Sequence, residues 1–268
     1  AEDLRIDYSI LDQHAESYRK IRNTFRYLLG NINDNYEYIN FEKIDFSELP
    51  ELEQLMLHKI YSLNENFHKY FNNYDFHNLY KELLNFCTVD LSAFYFDIRK
   101  DCLYCDPTDS QKRKSTIILL NIILNSLLKW FAPILSFTTE EIFKLLFKDK
   151  NSIHLEKFLK FPNKLKNDKL NEKWSELIKI RNICNISIEE KRATKEIGSS
   201  LEADLKIKLN QNLKNLTENI DFSELCITSK ANVEYKDHVE TSAITSKAKG
   251  SKCPICWKIN EVSCSRHS

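Results

Sequence analysis

The chain has 268 residues, and its 39 basic and 39 acidic side chains give a formal net charge of zero at pH 7. Hydrophobic residues make up 42% and charged residues 29%, values typical of a soluble globular protein with one large or two smaller domains. The three glycines (Gly30, Gly198 and Gly250) are too few and too far apart to form a glycine-rich phosphate loop. Balanced charge means that any contact with nucleic acid must come from local basic patches.

Hydrophobic periodicity predicts helices over the first two thirds of the chain. The predicted helices run from Ser9 to Leu29, from after Ser47, from near Asp75, from Ser110 to Phe131, after Thr138, and from Leu170 to Glu196. A loop is predicted at Lys100–Asp109, before Ser110. The Ser110–Phe131 segment is apolar on most sides but is interrupted by polar residues, which favours the central helix of a bundle over a membrane span.

The pattern changes after Gly198. Leu205, Ile207 and Leu209 alternate with charged residues, which is typical of a strand, and Leu225–Thr228 and Asn232–Tyr235 are predicted as further short strands. The predicted fold is therefore mainly α, with a helical bundle followed by a small α+β subdomain and a short cysteine-rich tail. The predicted boundaries are 1–160 for the bundle, 161–200 for a long connecting helix, 201–243 for the subdomain and 244–268 for the tail.

The tail contains two closely spaced pairs of candidate metal ligands. Cys253 and Cys256 form a C-x-x-C pair, and Cys264 and His267 form a C-x-x-H pair. Thiolate and imidazole pairs at this spacing suit a tetrahedral zinc ion, which would also stabilise a segment too short to build a core. Two alternatives are a four-cysteine site that includes the Cys102–Cys105 pair, and free cysteines in a frayed terminus.

Basic and aromatic residues in three places are candidates for nucleic-acid contact. Three arginines share one face of the first helix, two basic residues open the helix after Ser110, and a tryptophan directly follows Cys256 in a basic tail. The candidates are Arg19, Arg22, Asn23, Arg26, Lys112, Arg113, Lys252, Trp257 and Lys258. The alternatives are a solvated helix face for the arginines and packing on the metal knuckle for the tryptophan.

No catalytic residue is predicted, because the seven histidines are scattered and none lies in a recognisable nucleophile setting. The first residues, Ala1–Arg5, lack the basic and apolar regions of a signal peptide. Reduced thiols and a cytoplasmic location are therefore expected.

Several segments resemble the anticodon-binding region of class I aminoacyl-tRNA synthetases. Residues 17–29 resemble the opening helix of this region. Five further segments resemble the isoleucyl members of the family in particular: residues 90–101, 104–107, 130–138, 197–203 and 252–257. These motifs occur in the family's order and cover nearly the whole chain. The family's terminal zinc knuckle usually has two C-x-x-C pairs with a longer intervening segment, whereas this chain has a short gap and His267 as the fourth candidate ligand.

The resemblance implies a C-terminal portion of a bacterial-type isoleucyl synthetase that acts as a monomer and binds the anticodon stem-loop of tRNA(Ile). It also implies one zinc ion in the tail. The basic tail and Trp257 would contact the anticodon loop, and the arginines of the first helix would contact the RNA backbone. The H-x-G-H and K-M-S-K-S elements are absent, so ATP and magnesium would bind in a catalytic domain upstream, and this chain alone would not activate an amino acid. Valyl and leucyl relatives share the helical domain, and a helical protein-interaction scaffold without an RNA role is a further alternative.

Overall fold

The computed structural model describes residues 7–32, 44–148 and 151–267. The chain divides into two compact units, Ala1–Asn167 and Asp168–Ser268, here called the helical unit and the C-terminal unit. The mainly α fold class is confirmed, and the strands found among the described residues lie in the C-terminal unit. The segment interpreted as lacking a signal peptide, Ala1–Arg5, lies outside the described residues.

The described residues of the helical unit form six α-helices. They are α1 (Tyr8–Ile32), α2 (Glu51–Asn72), α3 (Phe76–Asn85), α4 (Asp97–Cys105), α5 (Gln111–Phe131) and α6 (Ser136–Leu146). A π-helical stretch, Phe86–Phe96, joins α3 to α4, and two 3-10 turns follow α6 at Ile153–Leu155 and Asn163–Leu165.

Helix α5 is the centre of this unit, as its apolar sequence predicts. It contacts α1, α2, α4 and α6, and Trp130 and Phe131 near its end are almost completely buried. Trp130 lies 6.1 Å from Phe67 between ring centroids, and its indole N–H donates to the Asn64 side chain. Helix α5 is long and apolar enough to cross a membrane, but 83% of its most apolar window is buried inside the structure, which favours a core helix.

The predicted loop at Lys100–Asp109 is wrong over its first half. Helix α4 continues to Cys105, because no glycine or proline interrupts the chain before Pro107 and because Ile98, Cys102 and Leu103 all pack into the core. The predicted start of α3 is confirmed, since the Asp75 carboxylate accepts a hydrogen bond from the Asn78 N–H and caps the helix.

A buried ion pair connects three helices of the helical unit. Glu53 of α2 is fully buried and accepts two hydrogen bonds of 2.6 Å from the Arg99 guanidinium of α4. The Tyr95 hydroxyl donates to the same carboxylate at 2.9 Å, and Thr116 of α5 lies 3.3 Å from it. Removing either charged partner would leave the other buried and unpaired, so this cluster fixes how α2, α4 and α5 pack.

The C-terminal unit combines one long helix with two small sheets. Its elements are α7 (Asp168–Ala193), β1 (Ala203–Asn210), α8 (Lys214–Thr217), α9 (Phe222–Leu225), β2 (Lys230–Lys236), β3 (Ser242–Lys247), β4 (Ser251–Lys252) and β5 (Ile259–Asn260), with 3-10 turns at Ser200–Glu202 and Gln211–Leu213. The larger sheet has the order β2-β1-β3, with β1 parallel to β2 and antiparallel to β3. Strands β4 and β5 form a separate antiparallel hairpin.

Helix α7 covers one face of the three-stranded sheet. The alternate β1 residues Ala203, Leu205, Ile207 and Leu209 are buried. The Ser187 hydroxyl of α7 lies 2.9 Å from the hydroxyl of Thr245, which pairs with Leu205 in the register of the sheet. The other residues of β1 therefore point to the opposite face, which is called the open face below.

The predicted strand at Leu225–Thr228 is wrong, whereas that at Asn232–Tyr235 is confirmed as part of β2. The Asp221 carboxylate accepts hydrogen bonds from the N–H groups of Ser223 and Glu224, which begins helix α9 instead of a strand. Ile227 then has a φ of 58°, which turns the chain before β2.

Candidate metal centre and nucleic-acid interface

The β4–β5 hairpin holds the candidate metal ligands in place. Ser251 pairs with Asn260 and Lys252 pairs with Ile259. Gly250 precedes the hairpin with a φ of +119°, and a Cβ atom there would lie 2.0 Å from the Asn260 carbonyl oxygen. Only glycine fits this close approach of two backbone segments.

The base of the knuckle is fixed by backbone hydrogen bonds and by one contact to the larger sheet. The Cys253 N–H donates to the Lys258 carbonyl at 2.9 Å, and the Trp257 N–H donates to the Cys253 carbonyl at 3.0 Å. The Ile259 N–H donates to the Ser229 hydroxyl at 2.6 Å, next to the start of β2. The sequence analysis did not identify Ser229, because nothing local distinguishes a serine that contacts a segment thirty residues away.

The structure brings together the four predicted ligands, Cys253, Cys256, Cys264 and His267, with their donor atoms all within 4.8 Å of one another. His267 Nδ1 lies 3.6 Å from the sulphur atoms of both Cys253 and Cys264, and the sulphur atoms of Cys256 and Cys264 are 3.9 Å apart. A tetrahedral ion with metal–sulphur bonds of about 2.3 Å needs sulphur–sulphur edges of about 3.8 Å and sulphur–nitrogen edges of about 3.6 Å. These three distances match the edges of such a tetrahedron, so the donor set suits a tetrahedral metal ion.

Two of the three thiols are surrounded in a way that favours the thiolate. Hydrogen bonds from the backbone N–H groups of Cys256 and Ile255 lower the pKa of the Cys253 thiol to about 6. The backbone N–H of Arg266 lowers the pKa of Cys264 in the same way, while burial raises the pKa of Cys256 to about 11. Because the thiolate is the form that binds metal, the backbone prepares the site for a cation.

The alternative metal set that includes the Cys102–Cys105 pair has no support in the geometry. Cys102 is buried in the helical unit with its sulphur 3.8 Å from the Thr116 hydroxyl, and burial raises the pKa of its thiol to about 12. All eight cysteines lie within the described residues, and none of them forms a disulphide.

Trp257 projects from the knuckle with its side chain 59% exposed. Its φ of 63° lies in the left-handed region, which costs a non-glycine residue about 1–2 kcal/mol. The Lys252 ammonium lies 5.3 Å from the centre of the indole ring, so these two candidate residues form one contact surface. Lys258 is half-buried, and its carbonyl accepts the Cys253 N–H.

The candidates on α1 (Arg19, Arg22, Asn23 and Arg26) are all exposed. Arg19 forms an ion pair with Glu16, whereas the guanidinium groups of Arg22 and Arg26 have no partner among the described residues. Asn23 lines a groove of about 580 Å³ between α1 and the π-helical stretch. Helix α1 therefore presents two uncompensated arginines to solvent.

The candidates at the start of α5 have partners within the helical unit. The Arg113 guanidinium donates to the Asp106 carbonyl at 2.7 Å and so ties the start of α5 to the end of α4. Lys112 is half-buried and also has an interaction partner. Both residues are therefore less available to a ligand than Arg22 and Arg26.

A helical bundle followed by a tail with a cysteine–histidine cluster is the arrangement expected of the anticodon-binding region of a tRNA ligase. Residues 53–209 match the family described as the anticodon-binding domain of tRNA ligase, and the chain belongs to this family.

The individual relatives are isoleucine–tRNA ligases. The chain is 66% identical over 268 residues to that of Pelagibacter ubique (strain HTCC1062), a match that covers 100% of the chain and 30% of the relative. It is 36% identical over 271 residues to that of Bartonella henselae, covering 97% of the chain and 28% of the relative. It is 37% identical over 262 residues to that of Zymomonas mobilis, covering 96% and 27%.

The chain thus spans under a third of the length of these relatives and matches their C-terminal part. The resemblance to the isoleucyl synthetases is confirmed, and the catalytic part of those proteins has no counterpart in this chain. These three matches favour the isoleucyl assignment over the valyl and leucyl alternative.

Proposed function

We propose that this chain is the tRNA-binding C-terminal portion of an isoleucine–tRNA ligase, a protein that attaches isoleucine to tRNA(Ile) in a reaction that consumes ATP. ATP and magnesium then bind in a catalytic part outside this chain, and the chain alone is inactive in amino-acid activation. The whole protein acts as a cytoplasmic monomer. The observation that carries the proposal is the match of residues 53–209 to an anticodon-binding domain.

The knuckle contacts the anticodon loop. Bases in an RNA loop are unstacked and bind to aromatic faces and basic side chains, and Trp257 and Lys252 offer such a pair with Lys258 beside them. On the helical unit, Arg22 and Arg26 contact phosphates of the stem, because their guanidinium forks are exposed and have no acidic partner among the described residues. Arg19, Lys112 and Arg113 are secondary contacts, since each already has an interaction partner, and Asn23 is a secondary contact because it carries no charge.

The metal at Cys253, Cys256, Cys264 and His267 is zinc. Three thiolates and one imidazole in tetrahedral arrangement are a typical donor set for this ion. When bound, the ion supplies folding energy that the few apolar side chains of the tail do not provide. Because Trp257 directly follows Cys256, a fixed knuckle also fixes the position of the indole ring.

Binding to the anticodon stem-loop of tRNA(Ile) tests this proposal. The Trp257→Ala variant should bind a fluorescently labelled stem-loop at least fivefold more weakly in an anisotropy titration, because stacking of one base on an aromatic ring contributes about 1–3 kcal/mol. Trp257→Phe should recover part of the affinity. Ile255→Ala is the matched control, since this neighbour is also exposed (53%) but cannot stack on a base.

An unchanged affinity in the Trp257→Ala variant, with its metal retained, would contradict the assignment of the knuckle to the anticodon loop. If the affinity of the unaltered chain for the stem-loop does not change with salt concentration, the protein-scaffold alternative is favoured, because contacts to phosphates weaken steeply as the salt concentration rises.

A further inference from the structure

The open face of the three-stranded sheet carries a row of polar and basic side chains. The register places Lys206 of β1 between Asn232 of β2 and Ile244 of β3, and it places Lys208 between Glu234 and Ser242. Lys206, Asn232, Glu234, Ser242 and Ile244 are exposed, and Ile244 retains 57% of its accessible surface. The described residues therefore leave this face uncovered, in contrast to the face that packs against α7.

The acidic groups on this face have partners, but the two lysines of the central strand do not. The Asn232 amide donates to the Asp204 carboxylate at 3.4 Å, and Glu234 forms an ion pair of 3.0 Å with Lys236. Lys206 and Lys208 have no ion-pair or hydrogen-bond partner for their ammonium groups among the described residues. The open face carries four lysines (Lys206, Lys208, Lys230 and Lys236) against two carboxylates (Asp204 and Glu234), so its formal charge is +2.

The two lysines of the central strand lie near each other. Lysine is depleted in strands, and two residues of a strand that face the same side lie about 6.6 Å apart, so the like charges of Lys206 and Lys208 repel each other. A row of phosphates over this face would offset that repulsion. A neutral or basic protein surface would not.

The lysines lie close to the knuckle within the same compact unit. The Ser229 N–H donates to the Ala203 carbonyl at the start of β1, and the Ser229 hydroxyl accepts from Ile259 of the knuckle hairpin. Lys206 is three residues into β1 from this point, a distance of about 10 Å along the strand. Proteins that bind single-stranded nucleic acid combine basic side chains that follow the backbone with aromatic side chains that stack on bases.

We propose that the open face is an RNA-binding surface on which Lys206 and Lys208 contact phosphates of the strand whose bases meet Trp257. The occupant is the sugar–phosphate backbone of the tRNA, so this inference rests on the proposed function and extends its contact surface from the knuckle onto the sheet. The two lysines are positioned by β1, and neither contributes to the metal site or to the buried face of the sheet.

The test is the salt dependence of tRNA binding by the double variant Lys206→Gln/Lys208→Gln. Loss of two phosphate contacts should lower the slope of log affinity against log salt by about 1.4, because each contact to a single strand contributes about 0.7. Lys206→Glu/Lys208→Glu should weaken binding further at low salt. The matched control is Lys169→Gln/Lys179→Gln, which removes the same charge from exposed positions of α7, the helix that covers the opposite face.

Metal content should match that of the unaltered chain in every variant, since none of the four lysines is a candidate metal ligand. Thermal unfolding then identifies any variant that binds more weakly because it has lost its fold. If the Lys206→Gln/Lys208→Gln variant keeps the affinity and the salt slope of the unaltered chain while Trp257→Ala weakens binding, the open face does not contact RNA and only this inference is overturned. If the unaltered chain does not bind tRNA, the proposed function fails, and the sheet contact fails with it.

Discussion

Individual residues in left-handed backbone conformations show how this glycine-poor chain makes its turns. Within the described residues, the non-glycine positions with positive φ are Tyr74, Lys195, Ile227, His238 and Trp257. Each is expected to cost about 1–2 kcal/mol relative to an ordinary backbone conformation. At Lys195 the reason is visible, because the residue ends helix α7 with its N–H bonded to the Arg192 carbonyl, while the following N–H of Glu196 bonds to Lys191.

Replacing Lys195 with glycine should stabilise the chain. Glycine adopts the left-handed conformation without a Cβ clash, so we expect Lys195→Gly to raise the free energy of unfolding by about 0.5–1 kcal/mol in urea unfolding followed by circular dichroism. The control is the same exchange at Lys179, an exposed residue inside α7, which should lower stability by about 0.5–1 kcal/mol. A loss of stability at both positions would show that the Lys195 backbone is not strained.

At the scale of elements, local sequence signals predicted most of the helices and the central strand. Helix α1 follows from an apolar stripe at helical spacing, and β1 follows from strict alternation in which Leu205, Ile207 and Leu209 are indeed the buried residues. The close approach of the four candidate metal ligands was also predictable, because both pairs have a spacing that one short turn can close. In each case the residues that decide the outcome are neighbours in sequence.

The elements that were mispredicted depend on contacts that short patterns do not carry. The Phe86–Phe96 stretch is apolar on nearly every side, so no periodicity revealed its π-helical geometry or its continuation into α4. Arg99 directly precedes the predicted loop, and nothing in the sequence distinguishes it from an ordinary charged residue. In the structure it binds Glu53 of α2, which lies 46 positions earlier in the chain. In the sequence, Lys206 and Lys208 indicate only the polar side of a strand. Whether they have a hydrogen-bond or ion-pair partner can be seen only in the three-dimensional structure.

Metal removal should affect one element and leave the rest of its unit folded. The purified chain should contain one zinc ion, and Cys253→Ser or a chelator should remove it and change Trp257 fluorescence, because the β4–β5 hairpin has only two residues in each strand. The helical content should stay the same, since the metal ligands lie outside every helix. Cys105→Ser is the control, and it should retain the metal.

That control also separates the two metal sets considered from the sequence. Loss of zinc in Cys105→Ser would favour the set that includes the Cys102–Cys105 pair. Absence of stoichiometric zinc from the unaltered chain would contradict the metal centre, and RNA contact would then have to come from surfaces that need no ion.

At the scale of the whole molecule, candidate RNA contacts occur on both compact units. The helical unit offers Arg22 and Arg26, and the C-terminal unit offers the knuckle and the open face. A chain whose formal net charge is zero can still bind a polyanion when its positive charges are grouped in this way. Because the chain spans under a third of its relatives, the proposed contacts would be only one part of those made by the proposed full-length ligase.

The contribution of the helical unit can be measured with Arg22→Gln/Arg26→Gln. Each arginine removed should lower the salt slope of tRNA binding by about one, because each releases the counterions of one phosphate. The control Lys69→Gln/Lys81→Gln makes the same charge change on α2 and α3. If both double variants bind like the unaltered chain, the arginines of α1 form only a solvated helix face.

The fit of Gly250 against Asn260 also bears on which mutations the gene can tolerate. Every single-nucleotide change in a glycine codon that produces another amino acid introduces a Cβ atom, and here that atom would lie 2.0 Å from a carbonyl oxygen at a φ of +119°. Neither a small residue such as alanine nor a polar one such as serine avoids this overlap. In a library of point mutants, codon 250 should therefore be among the least permissive positions of the tail, although its residue is not a candidate metal ligand.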